Sequence, residues 1–159
     1  MKTTTKITFI IFICVALTTA TFAQTTPDEG SIGIRSSIGS QVAIEIPYQL
    51  NENLSIAPAL TINTVDGGTN TIGFAVIPRY YTSTIESLST YVTGNLGFRN
   101  QSFDTGGSAT DFTFGIGYGA EYFLGSNFSL STDANLGIRA GDSANNFFTS
   151  ARVSASVYF

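Results

Sequence analysis

Ala151-Arg152-Val153-Ser154-Ala155-Ser156-Val157-Tyr158-Phe159, the last nine residues of the chain, alternate apolar and polar side chains. Successive side chains of a strand point to opposite faces, so a period of two predicts a strand with one greasy and one polar side. Val153, Ala155, Val157 and Phe159 share the apolar face, and Arg152, Ser154, Ser156 and Tyr158 share the other. A single strand of this kind is ambiguous, because a half-buried soluble strand alternates in the same way. The recurrence of the pattern along the rest of the chain removes much of that ambiguity.

Working back from the C-terminus, alternation predicts eight strands near residues 31–39, 41–50, 53–63, 70–81, 89–100, 111–124, 127–140 and 146–159. Turn residues separate them: Asn51-Glu52-Asn53, Asp66-Gly67-Gly68, Asp104-Thr105-Gly106-Gly107, Gly125-Ser126-Asn127 and Gly141-Asp142-Ser143. In the sixth strand Phe112, Phe114, Ile116, Tyr118, Ala120, Tyr122 and Leu124 oppose Thr113, Gly115, Gly117, Gly119, Glu121 and Phe123. In the seventh, Phe128, Leu130, Thr132, Ala134, Leu136 and Ile138 oppose Ser129, Ser131, Asp133, Asn135, Gly137 and Arg139. Val42, Ile44, Ile46, Tyr48 and Leu50 form the apolar side of the second strand. Proline removes a ladder donor. Pro47, Pro58 and Pro78 therefore strain this assignment, and a bulge or weak hydrogen bond is expected at Pro58, inside the third strand.

Volume and charge decide which face is outside. The interior of an eight-stranded barrel is just wide enough for side chains to fill. The bulky Phe, Tyr, Leu, Ile and Val set suits the outside of such a barrel, and the Gly, Ser, Ala and Thr set suits the crowded inside. A soluble chain carries about a quarter charged residues, whereas this one carries 11%. Apolar faces turned to lipid and polar faces turned inward account for both features, and closure removes the unpaired edges that lipid cannot solvate. The expected fold is all-β, an eight-stranded antiparallel up-and-down transmembrane β-barrel with an outer apolar band about 25 Å tall.

The N-terminus reads as a secretory signal peptide. Lys2 and Lys6 precede an apolar core from Ile7 to Leu17, and Thr21-Phe22-Ala23 offers a cleavage site. The core is too short to span a bilayer as a helix. Residues 1–23 are thus expected to be removed, leaving a short tail at 24–30 and the barrel at 31–159. Cys14 goes with the leader, and beyond it there is no Cys, His, Trp or Lys. Five arginines (Arg35, Arg79, Arg99, Arg139 and Arg152) then face the chain's eleven acids. Such a surface does not suit nucleic acid. Composition excludes disulfides and Cys/His metal sites, and no cofactor or metal is expected. Asp66, Asp104, Asp111 and Asp142 do not have the spacing of an EF-hand loop.

The whole segment after the leader resembles the small outer-membrane β-barrels of the OmpA/OmpX type. The resemblance rests on the leader, the eight alternating strands, the short turns at one end and the terminal Val153-Ser154-Ala155-Ser156-Val157-Tyr158-Phe159. Pro47-Tyr48-Gln49-Leu50-Asn51-Glu52-Asn53-Leu54-Ser55 also looks like a strand-turn-strand segment of these barrels. The resemblance implies a monomer in the outer membrane of a Gram-negative bacterium, surrounded by outer-membrane lipids. It implies that the barrel assembly machinery reads Val153, Ala155, Val157 and Phe159. Tyr48, Tyr80, Tyr122, Phe128 and Phe159 lie on apolar faces near the short-turn end and are expected to form a membrane-interface girdle, with Phe98, Phe112 and Phe147 at the other interface. The family includes structural barrels, adhesion and defence factors, narrow channels and a few lipid-modifying enzymes. The chain is expected to depart from OmpA proper in having no domain after the barrel, and its outer loops are short.

Every arginine after the leader falls on a polar face, as do Glu45, Glu121 and Asp133. Counted from the short-turn end, Asp133, Arg152, Arg35 and Glu45 reach one depth on four strands that become neighbours on closure. They are expected to form one ionic network within the lumen, with Arg79 and Glu121 nearer the same end. Charges in a narrow low-dielectric lumen must pair. The expected role is therefore a structural or interactive barrel with a plugged lumen and no reaction, since no catalytic constellation is recognisable. A narrow channel for small solutes or ions is one alternative, and a soluble lipocalin-like ligand-binding barrel is the other.

Overall fold

The computed structural model describes residues 26–39, 43–64, 68–104, 106–143 and 145–159. The leader, Val42 and the Asp66-Gly67 turn lie outside the described residues. Among the described residues there are nine strand segments: β1 (Gly33–Gly39), β2 (Ala43–Glu45), β3 (Tyr48–Asn51), β4 (Leu54–Asn63), β5 (Thr69–Ile85), β6 (Leu88–Phe103), β7 (Ser108–Phe123), β8 (Phe128–Gly141) and β9 (Asn146–Tyr158). All pairings are antiparallel. Each strand pairs with its sequence neighbour from β3 to β9, β9 pairs with β1, and β1–β2 and β2–β4 complete the circle. Because β2 and β3 are two halves of one stave, the sheet is a closed eight-stranded up-and-down barrel.

The interruption in that stave lies at Ile46-Pro47. Pro47 is fully buried; its carbonyl accepts from Gly33 N–H at 2.8 Å, so the N–H it lacks is lost on the β1 side. Pairing with β4 stops after Glu45↔Ala59 and resumes at Tyr48↔Ile56. Pro58 faces this gap, while on its other side it keeps unbroken register with Val76. Ile46 N–H still donates to the Pro58 carbonyl at 2.9 Å, and the return bond is absent because Pro58 has no N–H, so the expected disturbance is one lost ladder bond with no bulge in β4. A second gap occurs at Pro78, between Val76↔Leu96 and Arg79↔Thr93. The register shifts between Tyr81 and Ser83, where β5 carries one extra residue.

β5, β6 and the start of β7 run further than alternation predicts. The extensions are Thr82-Ser83-Thr84 at one end, and Gln101-Ser102 with Ser108-Ala109-Thr110 at the other. Backbone pairing does not require an apolar face. Polar stretches of this kind continue the ladder while erasing the period-two pattern that marks a strand in sequence.

Phe114, Ile116, Tyr118, Leu130, Leu136 and Val157 all stand on the outer surface, each between 40% and 62% exposed. The inside is polar. Among its fully or nearly fully buried side chains are Arg35, Glu45, Arg79, Glu121, Asp133 and a set of serines. The one buried apolar cluster among the described residues is the small patch Ala57, Ala59 and Ile77 on the β4–β5 wall. A soluble ligand-binding barrel keeps its apolar side chains inside, so this inversion weighs against the lipocalin-like alternative.

Candidate functional site: a charged ring across the lumen

Two of the charged contacts are cross-strand neighbours. Arg35 stands opposite Glu45 in the β1–β2 ladder, and Asp133 stands opposite Arg152 in the β8–β9 ladder. Directly opposed side chains on one face are close enough to pair. Arg35 Nη1 donates to Glu45 Oε2 at 3.0 Å. Arg152 grips Asp133 in a bidentate pair, Nε to Oδ1 at 2.9 Å and Nη2 to Oδ2 at 3.1 Å.

Three longer reaches join these pairs. From β9, Arg152 Nη1 crosses β1 to Glu45 Oε1 at 3.3 Å. From β5, Arg79 spans the lumen to Glu121 Oε2 on β7 at 3.2 Å and to Asp133 Oδ2 on β8 at 3.5 Å. The hydroxyl of Tyr158 accepts from Arg35 Nη2 at 3.2 Å and donates to Glu121 Oε1 at 2.9 Å. The circuit therefore closes: Arg35, Glu45, Arg152, Asp133, Arg79, Glu121, Tyr158 and back to Arg35. Three guanidinium groups meet three carboxylates, so the ring carries no net charge.

Neutral donors and acceptors fill most of the shell, with Arg79 Nε left without a partner. Glu121 accepts from four groups: Arg79, Tyr158, Tyr81 Oη at 2.8 Å and Ser129 Oγ. Ser37 Oγ donates to Glu45 Oε1 at 2.8 Å, and Arg35 Nε donates to Ser156 Oγ at 3.1 Å. Tyr91 Oη donates to Asp133 Oδ2 at 3.1 Å, and Asn135 Nδ2 donates to Asp133 Oδ1. The Arg79 guanidinium lies 4.3 Å from the centre of the Tyr91 ring, a cation–π arrangement. This density of partners is what a low-dielectric site requires, because an unpaired buried charge costs several kcal/mol.

Glycine makes one of these reaches possible. Gly119 on β7 sits between Tyr91 on β6 and Asp133 on β8. A Cβ there would fall 2.7 Å from the Tyr91 ring, 2.7 Å from Asp133 Cβ and 2.5 Å from the Thr132 carbonyl oxygen. The absence of a side chain lets the tyrosine cross β7 to the carboxylate.

All six charged residues singled out in the sequence meet in this ring. Arg99 and Arg139 stand apart from it, nearer the loop end. Arg99 pairs with Asp111 at 3.3 Å, and Asp111 also accepts from the Ser143 backbone N–H. Sequence reasoning passed over Tyr81, Tyr91 and Tyr158 as members of the ring. Their parity was the available clue, since each lies on the inward face of its strand. Of the girdle set, Tyr48, Tyr80, Tyr122 and Phe159 point outward and Phe128 is partly covered. Val153 and Val157 also face outward at the closing strand, whereas Ala155 is partly covered. No cluster of three or more His, Cys, Asp or Glu able to hold a metal occurs among the described residues.

The model of the outer membrane protein beta-barrel domain matches residues 14–159. The chain belongs to that family. Its barrel is similar to the N-terminal β-barrel domain of OprF from Pseudomonas aeruginosa, with a TM-score of 0.66 and 17% identity over 82% of this chain and 98% of that one. It is also similar to Neisserial surface protein A (TM-score 0.58, 16% identity, 80% of this chain and 92% of that one). A de novo designed transmembrane β-barrel aligns as well (TM-score 0.52, 13% identity, 86% of this chain and all of that one). At these identities the likeness is one of architecture alone. No curated protein matches the chain.

Proposed function

We propose that this family member is an integral outer-membrane barrel of structural or interaction type, whose lumen is plugged by the arginine–carboxylate ring and which catalyses no reaction. The supporting observation is burial. The side chains of Arg35, Glu45, Arg79 and Glu121 have no accessible surface at all, so the ring reads as a packed layer with no water path through it. In this reading the leader directs export and is removed, and the protein sits as a monomer among outer-membrane lipids. Tyr48, Tyr80, Tyr122, Phe128 and Phe159 anchor it at one interface, where amphipathic rings favour the headgroup level.

Planar-bilayer recordings test the plug. The purified, folded protein should give no steady current above baseline. A stable conductance that scales with voltage would replace this reading with that of a narrow channel for small solutes or ions.

Phe159 serves assembly in this proposal. Its side chain is 74% exposed, and its backbone N–H donates to the Ile32 carbonyl at 2.8 Å across the closing seam. Deleting Phe159 removes one ladder bond of about 1 kcal/mol, so the purified barrel should still refold in detergent. Its level in the outer membrane should nevertheless fall several-fold, because the assembly machinery loses the terminal aromatic. Unchanged membrane levels in quantitative blots would refute that role.

A further inference from the structure

The lumen is not filled beyond the ring. Between it and the loop end lies a cavity of about 260 Å³, far above the roughly 10–15 Å³ that one water needs. Small residues such as Gly73, Ala75 and Gly115 make the room, and Arg99, Arg139 and Arg152 line the cavity. No carboxylate lines it among the described residues.

These arginines are not equally satisfied. Arg152 is held by Asp133 and Glu45, and Arg99 has Asp111 through Nη2 alone. Arg139 has no ion pair and no hydrogen bond to any described residue. Its guanidinium rests 5.5 Å from the centre of the Phe148 ring. The Nε groups of both Arg99 and Arg139 are buried without a partner. Charge accounting agrees. Five arginines point into the barrel against Glu45, Asp111, Glu121 and Asp133, which leaves one positive charge uncompensated among the described residues, and it resides on Arg139.

We propose that this outer vestibule binds a small free oxyanion, of the phosphate or carboxylate class, between Arg139 and Arg99. A guanidinium presents a planar fork of donors that matches two oxygens of such an anion. The Arg139 Nη groups make no hydrogen bond to a described residue, and donors of this kind in a confined site gain most from a charged acceptor. Asn95, Asn135 and Thr113 on the same wall supply neutral polar groups to the remaining oxygens. The site faces the lumen, so the occupant enters from the loop end, and a lipid headgroup tethered to its acyl chains outside the wall is a poor fit. The inference is separate from the plug, because the cavity lies on one side of the ring and does not depend on whether the ring conducts.

Calorimetric titration of inorganic phosphate into the full-length barrel, folded in neutral phosphate-free detergent micelles, tests the site. Wild type should give saturable binding. Arg139→Gln should weaken it by roughly tenfold or more, the loss of one charge-assisted hydrogen bond, while Arg139→Lys should retain part of the affinity. Gly73→Leu should also weaken binding, since it fills the cavity beside Arg99 and leaves the charge of Arg139 in place. A Cβ at Gly73 meets nothing closer than 3.4 Å, so the fold accepts a side chain there. Heat-modifiable gel migration confirms that each variant is folded. No saturable heat from wild type, or equal affinity in Arg139→Gln, would overturn the proposal. Displacement of phosphate by a short-chain phosphatidic acid would overturn the free-anion assignment in favour of a headgroup.

Discussion

Replacing Glu45 by alanine should destabilise the folded barrel by roughly 3–5 kcal/mol, the cost of stranding a buried charge. Glu45 is the only carboxylate within ion-pairing distance of Arg35 among the described residues, and the remaining partners of Arg35 are the neutral Ser156 and Tyr158 hydroxyls. Arg152 loses one contact as well but keeps its bidentate hold on Asp133. The penalty therefore concentrates on Arg35. The double change Glu45→Ala with Arg35→Ala should cost less than the sum of the two single changes, because each partner's penalty disappears with the other. Urea or guanidinium unfolding in detergent micelles or lipid, read by tryptophan-free far-UV circular dichroism, gives the four corners of the cycle. Strict additivity would mean that the pair is solvated, and the plug would go with it.

Gly119→Val should destabilise the barrel strongly, by roughly 3 kcal/mol or more. The new side chain meets the Thr132 backbone carbonyl, which is fixed in the ladder, and the end of the fully buried Tyr91 ring. It also forces Tyr91 away from Asp133, breaking a hydrogen bond to a charged acceptor. Gly73→Ala is the control: its Cβ lands in ordinary contact distance, and its cost should stay below about 1 kcal/mol. Tyr91→Phe should cost little when added to Gly119→Val, because its bond is already lost there. Equal stability of Gly119→Val and Gly73→Ala would show that β7 shifts freely, and that the reach across Gly119 is not what orients the tyrosine.

The burial arrangement was legible along the chain wherever lipid and lumen impose opposite demands on successive residues. Ile116 beside Gly117, or Val157 beside Tyr158, can be sorted by parity alone once the sheet is known to close. Parity also placed Arg35, Glu45, Arg79, Glu121, Asp133 and Arg152 on one side of the wall, and low charge with bulky outward residues said that this side was the inside. Strand ends were less legible, since Thr82-Ser83-Thr84 and Gln101-Ser102 pair through backbone groups that every residue carries. The broken stave at Ile46-Pro47 was hidden too. Proline marks a missing donor, but which neighbouring strand loses the bond at each proline depends on what faces it across the strands.

What only the tertiary structure decided is how the inward residues combine. Arg79 meets Asp133 across two intervening staves, and Tyr158 bridges Arg35 to Glu121 from the end of β9. Those distances follow from barrel curvature and stagger, which have no local signature in the chain. The odd arginine is of the same kind. Arg139 looks like its four companions in sequence, and it differs because closure brings no described carboxylate within ion-pairing distance and leaves a cavity beside it. Sequence by itself determined the wall, the two faces and the set of charges, because a period of two is a local property. Pairing, and the one charge left without a partner, were decided by the closed fold, because distance across a lumen is not local.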